Sequence, residues 1–194
     1  MQVVGLTGYA GSGKSTVAEY LVERHGFTRL SFAAPLKKML RTLDPYVGQD
    51  SFYSEEPVRL SKLLAFGMTE NQIKESSFGD EYRRLLQVLG TDCIRAVDPE
   101  FWVKAALAQM TDEDGKYVFD DVRFPNEARV IEELNTAGLW NVSRSGYEAV
   151  NGHASEQWAG KMNEKVMLTN DFDLAALHDG IDNMVDMVFG GVIA

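Results

Sequence analysis

Gly8-Tyr9-Ala10-Gly11-Ser12-Gly13-Lys14-Ser15 follows directly on an apolar run at residues 3–7 and leads into a segment with helical periodicity. These residues fit G-x-x-x-x-G-K-[ST] in full. Glycines at such positions let backbone amides turn inward around a phosphate chain with no Cβ in the way. Lys14 is then placed to reach β- and γ-phosphates, the Ser15 hydroxyl to hold Mg²⁺, and Thr16 to support the start of the helix. Gly8, Gly11, Ser12, Gly13, Lys14, Ser15 and Thr16 are therefore read as a nucleoside triphosphate site. The pattern alone selects no reaction.

Beyond this stretch, apolar runs alternate with helical patterns along the whole chain. Residues 3–7, 28–32, 117–122, 139–143 and 166–169 read as strands. Val17, Ala18, Leu21 and Val22 share one face of a helix that Gly26 stops. Pro35 opens another, with Leu36, Met39, Leu40 and Leu43 at i, i+3, i+4 and i+7. Residues 44–77 are less regular and hold two short helical segments, around 58–66 and 71–75. A firmer helix carries Tyr82, Leu85, Leu86 and Leu89, and Gly90 is expected to end or bend it. Asp98 caps a helix that turns Trp102, Val103, Ala106 and Leu107 inward. Pro125 starts a helix with Ala128, Ile131 and Leu134, and the last helix carries Leu174, Leu177, Ile181, Val185 and Val188. Strands alternating with helices predict an α/β fold of the P-loop NTPase type, a five-stranded parallel sheet with helices on both faces. The chain is expected to be a single domain over 1–194, with an insert at about 44–95 and a polar lid at about 144–163.

The 194 residues carry 19 Lys and Arg against 29 Asp and Glu, a net charge of −10. So acidic a chain is unsuited to sequence-independent nucleic-acid or membrane-surface binding, and an anionic ligand must be held by a local cluster of donors. The lone Cys93 excludes an intrachain disulfide and is expected to be a small packed residue. His25, His153 and His178 give little support for a zinc site. No apolar run approaches the roughly 20 residues of a membrane span, and the chain is expected to be soluble and cytoplasmic.

A phosphate loop of this kind needs an acid at a neighbouring strand end to order Mg²⁺. Asp120 and Asp121 both offer one, on opposite faces if the strand runs through them. Arg123 and Arg144 also follow strand ends, which border the ligand crevice of an open α/β sheet. Guanidinium groups there can clamp phosphates and offset transition-state charge. Arg84, Gln87 and Thr91 lie near one helical face, where they could hold the phosphate and base of a second nucleotide.

Several blocks together resemble one family. They are the 8–15 loop, Phe32-Ala33-Ala34-Pro35-Leu36-Lys37, and Arg84-Leu85-Leu86-Gln87-Val88-Leu89-Gly90-Thr91 with Arg95. Asp121-Val122-Arg123-Phe124-Pro125-Asn126-Glu127-Ala128, Arg144, His153-Ala154-Ser155-Glu156 and Asn170 complete the set. In order and spacing the chain resembles the bacteriophage-type deoxynucleoside monophosphate kinases, a branch of the P-loop nucleotide kinases. The resemblance implies transfer of the ATP γ-phosphate to a deoxynucleoside monophosphate with Mg²⁺. It implies catalytic roles for Lys14, Arg123, Arg144 and Asp121, with Ser15 and Asp121 on the metal and Asn170 on ATP. Lys37, Arg84, Gln87, Gly90, Thr91, Arg95, Trp102 and Glu156 are the implied acceptor contacts. Family members often carry an acid where this chain has Ala34, so no acceptor contact is assigned there. A homodimer, and a host cytoplasm if the chain is phage-encoded, are consistent with the resemblance. The rival readings are a kinase resembling dephospho-coenzyme A kinase and a P-loop ATPase or switch that acts through a partner.

Overall fold

The computed structural model describes residues 1–49, 56–135, 137–147, 158, 161–162 and 164–190. The chain divides into two compact units, one of Met1–Phe32 with Val103–Ala194 and one of Ala33–Trp102.

The first unit is built on a five-stranded sheet of β1 (Gln2–Thr7), β2 (Thr28–Leu30), β5 (Lys116–Phe119), β6 (Leu139–Ser143) and β7 (Val166–Thr169). The spatial order is β2-β5-β1-β6-β7 and every pairing is parallel. Val3, Val4 and Leu6 are wholly buried, as a central strand covered on both faces requires. The period of two sorts them. Val4 and Leu6 join Val118, Trp140 and Val142 against Val17 and Leu21 of α1 (Lys14–His25) and Leu177 and Ile181 of α8 (Leu174–Phe189). Val3 joins Phe119 and Leu139 on the other face, against Ala128 and Ile131 of α7 (Pro125–Leu134) and Val103 and Ala106 of α6 (Phe101–Leu107). The expected α/β architecture is therefore present, with strands 139–143 and 166–169 at their expected bounds.

Two strands are shorter than expected. The segment expected at 28–32 ends at Leu30, because the Phe32 amide turns to donate to Asp121. The segment expected at 117–122 ends at Phe119, and the Val122 amide reaches back to the Leu6 carbonyl. Four residues expected inside are outside. Val22, Leu43, Leu134 and Leu174 are exposed, each sitting at the margin of its helix's apolar stripe or at a helix end.

The second unit has its own core of Leu40, Val47, Val58, Leu60, Leu63, Ile73 and Tyr82. It opens with α2 (Ala34–Leu43), then the antiparallel pair β3 (Tyr46–Gln49) and β4 (Pro57–Arg59), which periodicity did not reveal. α3 (Leu60–Ala65) and α4 (Glu70–Glu75) follow, the latter started by a capping box of Thr69 and Gln72. α5 (Gly79–Gln87) then runs without a break into a π-helical stretch, Val88–Arg95. Gly90 thus does not end the helix; it lies inside the π-helical stretch. Its value is closeness, since a Cβ there would stand 2.7 Å from Leu36 Cδ2. Cys93 is exposed rather than packed, because the π-helical register turns Asp92 and Cys93 away from the buried Gly90.

Candidate active site

Parallel strands send all their C-terminal ends to one edge of the sheet, and in the first unit that edge gathers the chemistry. β1 delivers the 8–15 loop there. Gly13 is held at φ 106, a left-handed conformation that costs any L-residue about 1–2 kcal/mol. A Cβ on it would also stand 2.3 Å from Asn170 Nδ2, which donates to the Ser12 carbonyl at 3.0 Å. Asn170, from the end of β7, therefore braces the loop, and its own amide donates to the Ser143 carbonyl at 2.8 Å.

The loop folds tightly around Lys14, whose Nζ donates to the Gly8 and Tyr9 carbonyls at 2.7 Å each. Thr7 and Ser12 are buried, and neither hydroxyl has a hydrogen-bond partner among the described residues. Buried hydroxyls with capacity to spare, on a loop that starts a helix, suit a cradle for a polar anionic ligand. Ser15 is exposed in the first turn of α1 and Thr16 half-buried beside it.

The two acids after β5 separate cleanly. The Asp120 carboxylate takes Nε of Arg29 at 2.9 Å and a still closer contact from Nη2, so it is spent on an ion pair. Asp121 instead accepts from Ser31 Oγ at 2.7 Å and from the Phe32 amide at 2.9 Å. Ser31 was not foreseen as a site residue. Nothing in its own neighbourhood signals the role, which arises from pairing across 90 positions. These two bonds fix the orientation of the carboxylate.

Among the described residues no group of three or more His, Cys, Asp or Glu gathers as a metal cluster. Mg²⁺ is usually bound through one or two protein oxygens together with substrate phosphates and water. Ser15 and Asp121 supply oxygens of the right hardness.

Arg123 is exposed just beyond, and its amide and that of Phe124 both donate to Glu127 Oε2, at 2.8 and 3.1 Å. Glu127 is 3% exposed, a buried acid that fixes the backbone carrying Arg123. It too was missed as a site residue, although a glutamate at the third position of a helix is a capping signal. Arg144, after β6, is exposed with its guanidinium 5.2 Å from the Tyr147 ring centre.

The implied acceptor residues other than Glu156 sit in the second unit. Lys37 on α2 pairs with Glu70 at 2.9 Å, and Arg41 shares the same carboxylate. Burial pushes the Glu70 carboxyl up, but Lys37 and Arg41 outweigh it and hold the group below its ordinary range. Arg84 is exposed and clasped by Glu81 through two contacts of 2.7 Å. Gln87 is exposed, while Thr91 and Arg95 are half-buried on the π-helical stretch. α2 packs against both α5 and that stretch, so these residues lie on adjoining elements. Trp102 is buried and donates Nε1 to the Gly90 carbonyl at 2.9 Å, which ties the π-helical stretch down. Glu156 and most of the segment expected as a lid lie outside the described residues.

Comparison with known proteins agrees with this chemistry. The family model for deoxynucleotide monophosphate kinase matches residues 46–181. A protein of Acanthamoeba polyphaga mimivirus, provisionally named a deoxynucleotide monophosphate kinase, is 29% identical over 96% of this chain and 97% of its own. The deoxynucleotide monophosphate kinase of Escherichia phage RB69 is 24% identical over 95% of this chain and 100% of its own. Among solved structures, TT1252 from Thermus thermophilus superposes with a TM-score of 0.51 at 16% identity. It covers 100% of this chain and 98% of its own, a likeness of fold alone.

Proposed function

The chain belongs to the deoxynucleotide monophosphate kinase family, and on that premise we propose how its residues carry the reaction. It is an ATP-dependent phosphotransferase that turns a deoxynucleoside monophosphate into the diphosphate. The observation that carries the residue assignment is the edge where the braced 8–15 loop meets an oriented Asp121.

ATP lies on Gly8, Gly11, Ser12, Gly13, Lys14, Ser15 and Thr16, with Asn170 holding the loop in shape. Ser15 and Asp121 hold Mg²⁺, which supplies charge neutralisation on the phosphate oxygens when bound. Lys14 exchanges its two carbonyl contacts for phosphate oxygens. The acceptor's own phosphate oxygen attacks the γ-phosphorus. The bond from that phosphorus to the bridging oxygen breaks, and its electron pair leaves with ADP. A monophosphate is already largely dianionic near neutral pH, with a second pKa of about 6, so no general base is needed. Catalysis then reduces to in-line placement and charge stabilisation. Arg123 and Arg144 supply that charge, and Glu127 fixes the backbone of the first.

Lys37, Arg84, Gln87, Thr91 and Arg95 hold the acceptor, Gly90 and Trp102 shape the helix beneath them, and Glu156 completes the set. Arg84 must then trade one of its Glu81 contacts for substrate. The insert at about 44–95 presents the acceptor, and the segment expected as a lid, about 144–163, closes over ATP beyond the turn at 144–147 and keeps water from the γ-phosphate. No helix among the described residues is long and apolar enough to cross a membrane. We place the reaction in the cytoplasm, the host's if the gene is viral.

The test is an ADP-release assay with ATP and Mg²⁺ against a panel of ribo- and deoxynucleoside monophosphates, with mass detection of products. A diphosphate from one or more deoxy acceptors is expected. ADP release with every acceptor unchanged would sink the assignment. Replacing Lys14 by alanine should abolish turnover, and near-normal turnover would remove the 8–15 loop from the mechanism.

A further inference from the structure

The loops after β6 and β7 are stitched together by contacts that the scheme above does not use. Arg144-Ser145-Gly146-Tyr147 forms a turn in which the Tyr147 amide donates to the Arg144 carbonyl at 3.2 Å. Gly146 sits at its third position with φ 80, the mark of a type II turn. Ser145 gives both its amide, at 2.5 Å, and its hydroxyl, at 2.7 Å, to the carboxylate of Asp171. Asp171 directly follows Asn170, the brace of the phosphate loop. On the other side the Tyr147 ring lies against Gly11, where a Cβ would stand 2.4 Å from Cε1. The Arg144 guanidinium stands over that same ring at 5.2 Å.

Arg144 is therefore carried on a turn tied to the β7 loop through Ser145 and resting on the phosphate loop through Tyr147. We propose that Asp171 and Tyr147 are positioning residues that set Arg144 over the phosphate loop before substrate arrives. The proposal rests on the reading of Arg144 as a phosphoryl-transfer residue. An exposed arginine on a free loop must give up side-chain freedom each time it engages a phosphate. A fixed turn and an aromatic shelf remove part of that loss in advance, which is what preorganised charge requires. Asp171 suits the task because Ser145's two donors, aided by the Arg144 charge, hold its carboxyl below the ordinary range despite some burial. The staple is thus intact throughout the neutral range.

Steady-state kinetics of Asp171→Ala, Tyr147→Ala, Tyr147→Phe, Arg144→Ala and the Arg144→Ala/Asp171→Ala pair test this. Asp171→Ala and Tyr147→Ala should each lower kcat by roughly 10-fold to 100-fold, as loss of a supporting contact does, with KM for ATP within about threefold. Tyr147→Phe keeps the ring and should keep the rate. In the Arg144→Ala background, Asp171→Ala should change nothing further. Equal losses with and without Arg144 would show a merely structural loop and overturn the proposal. So would normal kcat in Asp171→Ala beside an impaired Arg144→Ala, which leaves the role of Arg144 itself standing. Wild-type turnover in Arg144→Ala would bring down both.

Discussion

Replacing Gly13 by alanine perturbs two things at once, and the structure lets them be separated. The first is backbone strain. At φ 106 an alanine is held where L-residues are unfavourable by about 1–2 kcal/mol. The second is collision, since the new Cβ would stand 2.3 Å from Asn170 Nδ2 but 3.9 Å from Asn170 Cβ. The amide must swing away, and its bond to the Ser12 carbonyl is lost, a further 1 kcal/mol or so. Gly13→Ala should therefore cost about 2–3 kcal/mol, or roughly 4–12 °C in Tm for a chain of this size. Asn170→Ala removes only the bond and should cost about 1 kcal/mol. The double variant has the strain and the missing bond but no collision, because 3.9 Å is ordinary contact. It should melt with Gly13→Ala, so that Asn170→Ala is costly alone and silent in that background. Thermal unfolding of the four proteins, without nucleotide, reads the coupling directly. Additive losses would refute the idea that Asn170 and Gly13 share one constraint.

Three further outcomes follow from the site. Asp121→Asn should cut kcat by about 100-fold or more, whereas Asp120→Asn loses only its Arg29 pair and should stay within about twofold, at about 1 kcal/mol of stability; comparable losses in both would erase the distinction. Glu70 is held below its ordinary range, so its contribution is present above the usual carboxylate value of about 4.3 and lost as pH falls through its lower folded value. Urea unfolding should show Glu70→Gln weaker than wild type by about 1 kcal/mol at pH 7 and equal to it in strong acid, and a gap that persists there would exclude the mechanism. Trp102→Phe forfeits the bond to the Gly90 carbonyl, about 1–2 kcal/mol, and should raise KM for the monophosphate more than KM for ATP.

Legibility followed the range of the interactions. The 8–15 loop and strands β6 and β7 could be read because apolar runs and glycine spacing are local properties. The β3–β4 pair escaped because Tyr46–Gln49 and Pro57–Arg59 are short and alternate weakly, with Val47 and Val58 as their buried members. The π-helical stretch escaped because its register is decided by partners elsewhere, Leu36 and Trp102 closing on Gly90. The same split runs through the site. The proposed roles of Lys14, Arg123 and Arg144 rest on residue type and place along the chain. Ser31, Glu127, Tyr147 and Asp171 act by holding other residues, and in Ser31 and Asp171 the partners are far apart in sequence. By residue type Asp120 and Asp121 are alike, and the contact that distinguishes them, Arg29 with Asp120, spans 91 positions.

The order of the strands also bears on how such an enzyme could be remade. β2 and β5 are hydrogen-bonded neighbours, yet the whole of 33–102 is threaded between them, and α6 is what leads back into the sheet. Both ends of that excursion, Phe32 and Val103, are buried in one core of the first unit. The segment is in effect a cassette, entered and left at fixed points, with the loops that follow β1, β6 and β7 encoded wholly outside it. Trading it between members of the family would exchange the residues proposed to hold the acceptor, Glu156 apart, while leaving the loops after β1, β6 and β7 untouched, so most of the proposed acceptor side can diversify on its own stretch of the gene.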